Sequence, residues 1–135
     1  METRRRSSRQ RTLVYEAVHS SHQHPNAEEV YEVVRQQLPE ISLGTVYRNL
    51  NLLEQMGMII RIQTSGRADR FDADITPHPH LICTECGGVV DLDCDIDREM
   101  QQLEQALKKS NVQVRKIQLR IWGLCDQCNK QIKSI

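Results

Sequence analysis

The sequence predicts an α+β chain in two parts: an N-terminal winged helix-turn-helix domain, then a small α/β dimerisation domain closed by a zinc site of four cysteines. Two observations carry this. Up to Gly57 the apolar residues recur at helical spacing, and beyond it they follow a strand-like pattern, giving three helices and a hairpin in chain order. Further on, Cys83-Thr84-Glu85-Cys86 and Cys125-Asp126-Gln127-Cys128 form two CxxC pairs. Each short gap lets both thiolates reach one ion, and four thiolates at ~2.3 Å make the closed tetrahedral shell of structural zinc.

The first helical reading starts at Arg9, with Leu13, Ala17 and Val18 on one face, and breaks through Ser20, Ser21, Pro25 and Asn26. Asn26 with Glu29 three residues later is a capping box for a second helix carrying Ala27, Val30, Tyr31 and Val34, stopped by Pro39. Ser42 caps a third helix running to about Met56, where Leu43, Val46, Leu50 and Leu53 form a buried stripe and Gly57 closes the end. Arg48 lies nearly opposite that stripe, flanked by Thr45, Tyr47 and Asn51. These are groups able to read a DNA major groove. Met58 to Ile62, a polar turn Thr64-Ser65-Gly66-Arg67-Ala68-Asp69, and Arg70 to Ala73 make the hairpin.

Ile75-Thr76-Pro77 reads as a linker, which sets the expected domains at 1–76 and 77–135. The second domain is expected to hold strands at His80-Leu81-Ile82 and Val89 to Leu92, and an amphipathic helix with Ile96, Met100, Leu103 and Leu107. A long strand from Val112 to Trp122 completes it, and its apolar positions change parity between Val114 and Ile117, as at a bulge. One helix on a small sheet has little core of its own, so the domain is expected to complete that core against a second copy.

With 18 basic and 18 acidic residues among 135, no global charge demands nucleic acid or membrane. The placement is uneven: Arg4, Arg5, Arg6, Arg9 and Arg11 crowd the start, which on charge alone reads as a solvated terminus. No apolar run approaches the ~20 residues of a membrane span, and no apolar stretch follows the arginines as a secretion signal requires. A cytoplasmic protein is expected. In that compartment paired CxxC motifs share a metal in preference to forming disulfides or redox pairs, and Cys94, outside the pattern, is a plain thiol.

Pro77-His78-Pro79-His80 precedes the first cysteine pair. Alternate residues of an extended segment project the same way, so His78 and His80 can address one ion. Asp72 at the end of the hairpin and Asp91 on the next strand lie nearby in sequence on either side, His24 sits between the first two helices, and imidazoles with carboxylates make a mixed site suited to Fe²⁺, Mn²⁺ or Zn²⁺.

From Ser8 to Lys130 the sequence resembles the Fur family of metal-dependent transcription regulators. The resemblance is carried by His24-Pro25-Asn26-Ala27-Glu28-Glu29-Val30-Tyr31, Ser42-Leu43-Gly44-Thr45-Val46-Tyr47-Arg48-Asn49-Leu50, Arg70-Phe71-Asp72, His78-Pro79-His80-Leu81-Ile82-Cys83 and the closing CxxC. It implies a homodimer that binds double-stranded operator DNA, with an N-terminal winged helix and a C-terminal dimerisation domain. It further implies structural zinc on Cys83, Cys86, Cys125 and Cys128, and a regulatory Fe²⁺ or Mn²⁺ on His24, Asp72, His78, His80 and Asp91. Iron-uptake regulators of the family tend to carry glutamate where this chain has Asp72 and Asp91. Aspartate at both resembles the PerR-type peroxide sensors, in which bound iron reacts with hydrogen peroxide and a ligand histidine, His24 or His78 by match, is oxidised. Two departures stand out. The helix usual before Ser8 is largely missing, so minor-groove contact falls to Arg6 and its neighbours, and Pro77 and Pro79 replace residues some relatives use for a third metal. The nearest rival is an iron- or zinc-responsive repressor. A metallohydrolase is the rival from another class, but it would leave the winged-helix half unexplained and has no spare general base.

Overall fold

A computed structural model describes residues 2–64 and 66–133; Ser65 of the expected turn, Met1 and the last two residues of the expected 77–135 domain lie outside the described residues. The chain divides into two compact units, Met1–Ile75 and Thr76–Ile135.

The first unit runs α1 (Glu2–Ser20), α2 (Ala27–Val34), α3 (Leu43–Gln55), β1 (Ile60–Ile62) and β2 (Arg70–Asp72). Asn26 caps α2 through a complete capping box, its side chain accepting from the Glu29 N–H at 2.8 Å while the Glu29 carboxylate accepts from the Asn26 N–H. Ser42 caps α3 by accepting from the Thr45 N–H at 3.1 Å. At the other end Gly57, with φ of 75°, permits a Schellman closure in which the Met58 N–H reaches the Leu53 carbonyl and the Gly57 N–H the Glu54 carbonyl. The two strands pair antiparallel, Arg61 opposite Phe71. Val14, Val18, Val30, Val34, Val46, Leu50, Leu53, Ile59 and Phe71 are all buried in one cluster, which draws on all three helices and the hairpin. At ~1.5–3 kcal/mol for each large apolar side chain removed from water, this cluster is what holds the helices and hairpin together.

Two expectations need correction. α1 begins seven residues earlier than the predicted start, at Glu2 in place of Arg9, so the arginine-rich start is helical. No glycine or proline interrupts residues 2–20, and arginine is a strong helix former, which outweighs the missing apolar periodicity there. α2 ends at Val34, ahead of Pro39, with its last turn closed by the Arg35 N–H on the Tyr31 carbonyl.

The second unit runs β3 (His80–Cys83), β4 (Val89–Asp91), α4 (Asp97–Lys108), β5 (Arg120–Gly123) and α5 (Asp126–Lys133). The sheet order is β4-β3-β5, with β3 antiparallel to β4 and parallel to β5. The predicted strand from Val112 shrinks to its last residues: 112–119 form no strand, because β5 borders only β3 and no strand among the described residues runs beside the segment before it. The parity change is therefore not a bulge. α5 is absent from the sequence reading; its Ile132 stands half exposed and gives no apolar period. α4 buries none of its residues, so the stripe Met100, Leu103 and Leu107 faces outward or lies half covered.

Candidate metal centres

Parallel pairing of β3 with β5 aligns Cys83 with Gly123, so both strands deliver a CxxC to the same end of the sheet. Thr84 locks that end, its N–H and its hydroxyl both donating to the Gly123 carbonyl at 2.8 and 3.2 Å. Cys83 closes β3, and a tight turn through Gly87 (φ 73°) brings Cys86 back beneath it. Cys125 sits at the start of α5, its carbonyl accepting from the Asn129 N–H at 2.8 Å, and Cys128 lies in the first turn of that helix.

The four sulfurs lie within 4.8 Å of one another. A tetrahedron with ~2.3 Å metal–sulfur bonds has edges of about 3.8 Å. Cys86 Sγ and Cys125 Sγ are 3.9 Å apart, far beyond the ~2.05 Å of a disulfide, and none of the five cysteines forms a disulfide. The donor set and its spacing fit zinc. Backbone N–H groups supply the second layer: Cys125 donates to Cys83 Sγ and Gly88 to Cys86 Sγ, each at 3.4 Å. The Cys125 N–H foremost, then that of Cys86, lowers the Cys83 pKa to about 6. Cys128 is pushed up to about 12, first by its hydrogen bond with Cys125 and then by that with Cys83. Cys94 is exposed and is no member of this cluster.

Each unit brings imidazole and carboxylate donors together. In the first, His24 Nε2 lies 3.2 Å from Asp72 Oδ2, and both side chains are largely buried. His24 occupies the left-handed region with φ of 51°, rare for a residue with a Cβ, and its carbonyl accepts from Arg70 Nη1 at 3.0 Å. In the second, register sets the group: His80 pairs with Asp91 across β3 and β4, and His78 precedes on the incoming chain. The Nε2 atoms of His78 and His80 both lie 3.1 Å from Asp91 Oδ1, with ring centres 4.3 Å apart. His78 Nδ1 donates to the Thr76 carbonyl at 2.6 Å, which fixes the tautomer and leaves the Nε2 lone pair facing Asp91. Two imidazole nitrogens converging on one carboxylate oxygen are what a divalent cation requires of its ligands.

The residues expected to meet DNA are dispersed in their environments. Arg48 and Tyr47 stand exposed on α3. Thr45 is half-buried and shares a 2.9 Å hydrogen bond with the cap hydroxyl of Ser42. Asn51 is exposed and accepts from Arg61 Nη2. Arg6, on α1, pairs at 3.6 Å with Glu40, both well exposed. Arg61, Arg70 as a brace on His24, and Gly88 also shape these sites and are not evident from the sequence. The one available signal was a single charge inside the apolar run Met58 to Ile62.

The sequence profile of the ferric uptake regulator family matches residues 2–122. The chain belongs to that family. It is 31% identical over 122 residues to the peroxide-responsive repressor PerR of Staphylococcus epidermidis, covering 90% of this chain and 80% of the relative. Among solved structures it resembles the Campylobacter jejuni peroxide stress regulator, at 30% identity and a TM-score of 0.80 over 94% of each chain. It also resembles the Helicobacter pylori ferric uptake regulator Fur, at 26% identity and a TM-score of 0.74 over 90% of this chain and 80% of that one. The family consists of metal-responsive transcription regulators, and both donor sets described above, thiolate and imidazole–carboxylate, are those of metal sites. No described helix is long and apolar enough to cross a membrane.

Proposed function

We propose that the protein is a cytoplasmic, metal-dependent repressor that senses hydrogen peroxide, with residues 1–76 binding operator DNA and 77–135 forming a homodimer. Structural zinc is held by Cys83, Cys86, Cys125 and Cys128. His24, Asp72, His78, His80 and Asp91 serve one regulatory ion, Fe²⁺ or Mn²⁺, so that its binding couples the two units and sets the separation of the two recognition helices in a dimer. Tyr47 and Arg48 supply base contacts, with Thr45, Asn51 and Arg6 beside them.

The observation that carries the peroxide reading is that both carboxylates set against imidazoles are aspartates: Asp72 against His24 at 3.2 Å, and Asp91 against His78 and His80 at 3.1 Å. Aspartate is one methylene shorter than glutamate, so its carboxylate would hold an ion in a different geometry. Ferrous iron, when bound, supplies the redox chemistry that makes an oxidant from peroxide beside these rings. His24 or His78 takes the oxygen: one imidazole C–H and one hydrogen peroxide become an oxygenated ring and one water. An oxidised ring is a poorer ligand, the coupling is lost, and DNA is released.

Intact and peptide mass spectrometry test this. Protein loaded with Fe²⁺ and exposed to low peroxide should gain about 16 Da on a peptide containing His24 or His78 and leave its operator with zinc retained. Mn²⁺-loaded protein should do neither, and Asp91→Glu should keep metal-dependent DNA binding while slowing the oxidation. Iron-loaded protein that survives peroxide unmodified, or oxidation confined to Cys94 or the zinc cysteines, favours an iron- or zinc-responsive repressor. Hydrolytic turnover without DNA binding would favour a metallohydrolase.

A further inference from the structure

We propose that Arg61 is a positioning residue for DNA recognition, a guanidinium that fixes the wing hairpin against α3. The inference rests on the DNA-binding reading above. Arg61 lies on β1 and all three of its guanidinium nitrogens are engaged inside the unit: Nε donates to Glu54 Oε1 at 3.0 Å, Nη1 to Asp69 Oδ2 at 3.0 Å, and Nη2 to Asn51 Oδ1. Its guanidinium carbon lies 4.9 Å from the centre of the Phe71 ring on β2. Asn51 and Glu54 sit one turn apart on α3, and Asp69 belongs to the hairpin just ahead of β2. One side chain therefore joins the recognition helix to both arms of the wing.

The chemistry is that of a fork and not of a point charge. A planar guanidinium presents five N–H donors in fixed directions, so three partners bound at once define the angle between α3 and the hairpin. A lysine ammonium carries the same charge without that geometry. The side chain is only 19% exposed, against 35% for each carboxylate. Two acids on the same unit as the exposed Arg48 face repel phosphate, so their presence there is unfavourable to affinity and intelligible as anchors for orientation. Asn51, which the sequence places on the reading face, is held by the same guanidinium.

The test uses full-length Mn²⁺-loaded protein, a duplex that it enriches from a random pool, and a random-sequence duplex for comparison. Arg61→Lys should lower affinity for the enriched duplex roughly tenfold while leaving the random duplex nearly unchanged. The double variant Glu54→Gln, Asp69→Asn should tighten binding to random duplex, because two negative charges leave, and still lose preference for the enriched one. Unchanged preference in both proteins, even with a lower melting temperature, makes the network a matter of fold stability and overturns the proposal. If Arg61→Lys does not fold, the double variant decides alone. A wild-type protein that enriches no sequence overturns the DNA reading itself, and this inference with it.

Discussion

The smallest structural decision in the chain is the absence of a Cβ at Gly88. A methyl there would stand 3.3 Å from Cys86 Sγ, tighter than ordinary contact, and the sulfur is also the acceptor of the Gly88 N–H. Gly88→Ala should therefore displace one thiolate by a few tenths of an ångström and loosen its supporting hydrogen bond at once. Disturbing such a partner of a metal ligand typically weakens affinity by ~10–100-fold. Competition against a graded zinc chelator should show a loss within that range. An unchanged affinity would mean that the turn relaxes freely and the hydrogen bond is incidental. His24 illustrates the opposite case, a residue with a Cβ kept at φ 51°, where glycine would be easier. Its imidazole lies 3.2 Å from Asp72 and its carbonyl is held by Arg70, and strain of this kind persists where surrounding contacts over-determine it.

At the scale of elements, what is legible in the sequence follows from where the side chains are satisfied. The caps Asn26 and Ser42 and the α3 stripe are readable because local hydrogen bonds and burial in one unit decide them. The cysteine and histidine motifs are readable because ligand spacing is itself a sequence pattern. α1 before Arg9 is not, since exposed arginines carry no apolar period, and the strand from Val112 is overread because strand-like composition needs a neighbour to pair with. Nor can the Arg61 fork be seen, as its partners come from separate segments. The elements around the cysteines depend on metal in a way that sets a pH dependence. Without metal, Cys83 has a pKa lowered from its ordinary 9.0 to about 6, so its contribution to stability is full above about pH 9 and lost as pH falls through 6. Cys128, raised to about 12, contributes fully below about pH 9 and loses that as pH rises through 12. Zinc needs all four thiolates, so acidification should release it, and chelation should unfold the second unit because few of its apolar side chains are buried. Circular dichroism with and without chelator across about pH 5–9 checks this. A chelated protein that keeps its full melting transition at about pH 6 would contradict it.

For the whole molecule the question is what covers the second unit. Leu103 on α4, Val112, Val114 and Leu119 on the segment before β5, and Ile121 and Trp122 on β5 are all exposed, Trp122 by 52%. Scattered surface apolar residues need no explanation, but here β5 is an edge strand that continues back into a run with no strand beside it among the described residues. An edge of that kind either invites aggregation or is paired. Pairing with a second copy across the edge would complete the strand that the sequence predicts from Val112 and cover the exposed apolar residues along it. The core that one copy lacks is then supplied by two, as the sequence reading expects. Trp122→Glu, or Ile121→Glu on the opposite face of the same strand, should convert a dimer to a monomer in sedimentation equilibrium with zinc still bound. DNA affinity should fall with it, because two half-sites held by one dimer bind far more tightly than either alone. A variant that sediments as a dimer with both substitutions in place would move the interface elsewhere, to α4 alone or to the first unit.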